Sequence, residues 1–140
     1  MVDTLTKQKE EMKNFQEAEM LKGLDLKYKN ELIRSMEWLG EKDDTLFIGQ
    51  AVKYSGNAMY NTTKTISDDK KIEVPVFEDV QMGMSMGLAL EGFVPITCYP
   101  RFDFLVCATN QLVNHLDKLE AMSDGEWKPN VIVRVGKGSD

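Results

Sequence analysis

The stretch Val74-Pro75-Val76-Phe77-Glu78-Asp79, running into Val80-Gln81-Met82-Gly83-Met84-Ser85-Met86-Gly87-Leu88-Ala89-Leu90-Glu91-Gly92, decides how this chain is read. An extended apolar segment, Ile72 to Phe77, turns at Glu78 into a helix over Glu78–Leu90, which Gly92 closes where a left-handed C-cap is favoured. Glu78 stands at that joint. A carboxylate at such a joint can be partly buried and hydrogen-bonded, which makes Glu78 a candidate acid or base. The competing reading is that Glu78 and Asp79 only complement the positive end of the helix dipole. Gly83 and Gly87 lie one turn apart, which implies another backbone packed closely against that face.

Working outward, apolar residues at Leu26, Tyr28, Leu32, Ile33, Met36 and Leu39 have helical spacing, and Thr45-Leu-Phe-Ile-Gly49 reads as a short buried strand. Lys53 to Lys71 reads as loop with a short helix. Val94–Tyr99 is a third extended segment, and Val131–Val135 a fourth. Between them a helix is predicted over Asp103–Met122, with Phe104, Cys107, Ala108, Leu112, Leu116 and Leu119 inward. Apolar strands alternating with helices predict an α/β fold, a parallel sheet with helices on both faces. Residues 1–25 read as a charged N-terminal arm and 26–140 as the domain. Only five residues follow Val135, so the layer is expected to be incomplete at the C-terminus, its missing surface supplied by a partner or by a longer chain.

At 140 residues and 42% hydrophobic content the chain suits one core, and its net charge of −6 argues against nucleic acid, since a phosphate-binding face needs surplus Lys and Arg. No apolar run reaches the ~20 residues that span a bilayer, and the first residues lack the apolar core of a signal peptide. A cytoplasmic protein is expected. Cys98 and Cys107 lack the spacing of a redox or zinc site and read as reduced core residues. His115, the one histidine, reads as an ordinary helix residue, and no metal site is expected. Gly136-Lys-Gly-Ser139 lacks the spacing and following helix of a phosphate loop.

The order of these features resembles the pyrimidine-binding half of transketolase-like thiamine diphosphate enzymes, above all the beta subunit of 2-oxo-acid dehydrogenases such as the pyruvate-type enzyme. The residues carrying the resemblance run from about Tyr28 to the end: Leu46-Phe-Ile-Gly49, Pro75-Val-Phe-Glu78, the small-residue helix to Gly92, Phe102-Asp-Phe104, Asn110-Gln-Leu-Val-Asn114 and Met122-Ser-Asp-Gly125. The resemblance implies that Glu78 is the catalytic carboxylate, bonding a ring nitrogen of the aminopyrimidine and favouring its imino tautomer. It implies that Phe104 stacks on that ring, that Val76, two residues before Glu78 and on its side, touches it, and that Gln50 lines the site. Gln50 stands where these subunits carry Glu, which removes a proton relay, and the family's catalytic histidine would fall beyond Asp140.

The resemblance also implies shared thiamine diphosphate. An alpha-type subunit carrying the diphosphate-binding domain would supply the magnesium, in an alpha2-beta2 assembly with homo-oligomer pairing, because Ser123-Asp-Gly125 lacks the diphosphate motif's first glycine. Activity is not expected of the chain alone. Two other readings are a non-catalytic assembly or regulatory module that keeps the fold, and an unrelated doubly wound binding domain.

Overall fold

The computed structural model describes residue 19, residues 22–23 and residues 26–137, so most of the predicted N-terminal arm lies outside the described residues. Residues 1–35 form one compact unit and residues 36–140 another. In the first, the described residues are helical, and Arg34 Nη1 donates to Glu31 Oε1 at 3.0 Å along an exposed face. The helical path that begins at residue 26 ends at residue 40 (α1). In the second unit, Gly40 faces the side chain of Ile66, so any larger residue there would press on Ile66.

The sheet has four parallel strands in the order β2-β1-β3-β4: β1 Thr45–Gly49, β2 Lys71–Glu73, β3 Val94–Tyr99 and β4 Ile132–Val135. The helices are α2 Ala58–Thr63, α3 Glu78–Leu90, α4 Phe102–Cys107 and α5 Leu119–Met122. Alternation along β3 and β4 separates the two faces. Tyr99, Val133 and Val135 pack with Met82 of α3 and Ala108 in one cluster, joined by half-buried Phe104, Leu105, Leu112 and Leu116. Cys98 and Arg134, paired across β3 and β4, point the other way, where Arg134 donates to Thr62 Oγ1 on α2. Helices therefore cover both faces, as the sequence predicts.

Two elements depart from expectation. The extended segment Ile72 to Phe77 pairs only as far as Glu73; Val74 N still donates to Gly49 O at 3.1 Å, but Pro75 has no N–H and the ladder ends. The helix predicted over Asp103–Met122 is broken. Ala108 N bonds Leu105 O, three residues back, and Thr109 Oγ1 folds onto Val106 O at 2.7 Å. Beyond it Gln111–Leu116 widens to a π turn in which Asp117 N reaches Leu112 O, five residues back, at 3.0 Å. The stripe Phe104, Ala108, Leu112, Leu116 still faces the core, whereas Cys107 falls beside it and is exposed, not a core residue; Cys98 is buried. Gly92 closes α3 at φ +93, as expected.

Gly49 ends β1 between two neighbours, and a Cβ built there would land on the carbonyl oxygen of Cys98, closer than real Cβ atoms come. That oxygen belongs to a paired central strand and cannot swing away. Gly49→Ala is therefore expected to lower stability by about 3 kcal/mol, read as a lower urea midpoint at unchanged slope. An unmoved midpoint would contradict the β1–β3 spacing.

Candidate active site

Glu78 is the first residue of α3 and is only 8% exposed. Its neighbours hold it on two sides. Gln50, just past the end of β1 and also buried, donates from Nε2 to Glu78 Oε1 at 3.1 Å. Tyr99, at the end of β3, donates its hydroxyl to the Glu78 carbonyl at 3.2 Å. Among the described residues, Oε2 of Glu78 accepts no hydrogen bond. A turn further on, Gln81 pins α3 to β3, its Nε2 donating to Thr97 Oγ1 at 2.9 Å and to Cys98 O at 3.1 Å. The ends of β1 and β3 thus meet at Glu78, β1 through the Gln50 bond to its carboxylate and β3 through the Tyr99 bond to its backbone carbonyl. This is the carboxyl edge of a parallel sheet, where open α/β sheets commonly bind ligands.

The sequence-derived residues are not all equivalent in space. Gln50 and Glu78 meet directly. Phe104 is half-buried against Met82, Tyr99 and Ala108, on the same face as α3. Val76 is 74% exposed while Glu78 is buried; because β2 ends at Glu73, strand alternation does not put the two side chains on one side. Gly83 and Gly87 have nothing within 4 Å of a built Cβ, so no backbone among the described residues packs against them. Asp79 is exposed and accepts from Gln111 Nε2 at 3.4 Å. His115 is exposed, and among the described residues no group of three or more His, Cys, Asp or Glu is placed to hold a metal ion.

One contributor escaped the sequence reading. Glu73, the last residue of β2, accepts the backbone N–H of Ala51 at 2.5 Å, of Val52 at 2.9 Å and of Lys53 at 2.8 Å. Three successive amides around one carboxylate form an anion nest. Ala51 at its entrance has φ +56, a left-handed conformation that non-glycine residues rarely adopt. Nothing local in the sequence signals this contact, because it depends on the parallel register that sets Glu73 beside Gly49.

These features define an α/β domain whose parallel sheet presents a buried, hydrogen-bonded carboxylate at a strand–helix joint. A comparison with models of protein families finds no match. Among curated proteins, the chain is 31% identical over 108 residues to the mitochondrial pyruvate dehydrogenase E1 component subunit beta of Saccharomyces cerevisiae, covering 74% of this chain and 29% of that one. It is 28% identical over 102 residues to the pyruvate dehydrogenase E1 component subunit beta of Cyanidium caldarium, covering 70% and 31%. The 3-methyl-2-oxobutanoate dehydrogenase subunit beta of Mycobacterium tuberculosis is 32% identical over 94 residues, covering 64% and 27%. The chain is homologous to the beta subunits of 2-oxo-acid dehydrogenases, and its sheet agrees with their transketolase-like pyrimidine-binding domain. It spans less than a third of the length of these relatives. Among the described residues no helix is long and apolar enough to cross a membrane.

Proposed function

We propose that this domain supplies the pyrimidine side of a thiamine diphosphate site shared with an alpha-type subunit, in an enzyme of the 2-oxo-acid dehydrogenase kind. The observation that supports this most is the divided carboxylate of Glu78: one oxygen is held by Gln50 and the other accepts nothing among the described residues. A buried carboxylate with one free oxygen fits an N–H of a flat heteroaromatic ring. At the diphosphate end, Ser123-Asp-Gly125 lacks the first glycine of the motif that the resemblance places in the companion domain. Magnesium and the diphosphate grip are accordingly assigned to the partner, in an alpha2-beta2 arrangement.

Glu78 would hold a ring nitrogen of the aminopyrimidine, with Phe104 as an apolar contact. The bound cofactor would supply the carbanion chemistry of decarboxylation. Gln50 keeps the Glu78 carboxylate turned, and Tyr99 fixes the first turn of α3 that carries it.

A second reading, a non-catalytic assembly module, draws on Gln50, which donates to Glu78 but carries no acidic proton for a relay. Native mass spectrometry of the protein purified gently from its source, with magnesium and thiamine diphosphate present, separates the two. We expect a complex with a second chain that retains cofactor, and no retention by this chain alone. A complex without cofactor would favour the assembly module.

A further inference from the structure

We propose that Glu73 is a positioning residue of this site: by gathering the amides of Ala51, Val52 and Lys53 it fixes the turn after β1 and aims Gln50 at Glu78. The geometry is a short relay. The three amide bonds to Glu73 leave the loop little freedom, and the left-handed Ala51 they stabilise is the residue after Gln50. Gln50 then reaches Glu78 across 28 positions of sequence with a bond of 3.1 Å. Without the nest the left-handed turn at a non-glycine residue loses its compensation, and the loop relaxes toward ordinary backbone angles. Gln50 would then swing off Glu78. The importance of this for cofactor binding rests on the function proposed above; the positioning itself does not.

The relay is read at the Gln50 side chain itself, whose donor bond to Glu78 Oε1 slows exchange of that amide with water. The full chain, free of cofactor and labelled with nitrogen-15, allows the Gln50 side-chain amide to be followed by NMR, its signal assigned with Gln50→Leu. Glu73→Gln is expected to speed this exchange by about tenfold, the scale of a lost charge-assisted hydrogen bond, while the backbone amides of β3 keep their rates. Glu78→Leu should do the same. In the Glu78→Leu background, Glu73→Gln should produce no further rise, because the relay is already cut.

Unchanged exchange of the Gln50 amide in Glu73→Gln would overturn the proposal, since the nest would then not be what holds Gln50 on Glu78. Should Glu73→Gln not fold, Glu73→Asp carries the test. It keeps the charge and shortens the reach, so faster exchange of the Gln50 amide supports the relay and an unchanged rate overturns it. No cofactor enters the measurement. Failure of the thiamine diphosphate reading would leave its result standing, and failure of the relay would leave that reading to the mass spectrometry.

Discussion

Glu78→Gln is expected to lower thiamine diphosphate-dependent turnover of the reconstituted complex by about 10²–10³-fold, the range for losing one preorganised hydrogen-bonding group in a desolvated site. The substitution suits the site because it changes so little else. A glutamine at 78 keeps an oxygen to accept from Gln50 Nε2, and the backbone carbonyl that takes the Tyr99 hydroxyl is untouched. The start of α3 should therefore hold its shape. What disappears is the negative charge, and with it the preference for a ring nitrogen that carries a proton. Turnover is measured alongside far-ultraviolet circular dichroism and the assembly state of the complex. Full activity in Glu78→Gln, with the complex intact, would withdraw the catalytic role of this carboxylate and leave the domain as an assembly element.

Alkaline pH is expected to destabilise the fold steeply, through two buried groups on β3. Burial pushes the Cys98 thiol from its ordinary 9.0 up to about 12, against the opposing pull of Arg134. Burial likewise pushes the Tyr99 phenol from 10.0 up to about 12, with Glu78 and Asp79 adding repulsion. Both groups hold their protons more tightly folded than unfolded. Their contribution is complete below about pH 9 for Cys98 and pH 10 for Tyr99, and is lost as pH rises through about 12. By the upper end the loss is about 4 kcal/mol for Cys98 and about 3 kcal/mol for Tyr99.

The effect is isolated by comparing urea unfolding of the protein with that of Cys98→Ala between pH 8 and about 11, so that titration of the other tyrosines and lysines cancels. Cys98→Ala costs packing at every pH, but the gap between the two proteins should narrow as pH rises. A gap that stays constant across this window would show that Cys98 does not ionise on unfolding as its burial requires.

The elements built from unbroken apolar runs were legible in the sequence. β1, β3 and α3 occupy the expected residues, since Thr45–Gly49 and Val94–Tyr99 are buried almost throughout and the cap at Gly92 is a local signal. The long helix after Asp103 was not read correctly. Its apolar stripe keeps helical spacing, while the break lies in backbone bonds, Ala108 N to Leu105 O and Asp117 N to Leu112 O, that apolar spacing does not encode. The meeting of Gln50 and Glu78 was suggested only by the resemblance to thiamine enzymes, and their hydrogen bond needed the fold. Glu73 was invisible for a sharper reason: a glutamate at the end of a short edge strand usually faces water, and only strand register turns it toward the β1 loop.

That register has a consequence for how the chain reaches its fold. β2 is three residues long and pairs only with β1 among the described residues, matching Phe47 with Lys71, Ile48 with Ile72 and Gly49 with Glu73. So short an edge strand has little apolar pattern of its own to choose among alignments. Sliding it by one residue would turn every side chain to the opposite face. Glu73 makes that slip costly, because the carboxylate would leave three amides without their acceptor. The same glutamate thus works as an alignment key for the sheet edge, so that a chain folding with β2 misplaced arrives without an assembled site.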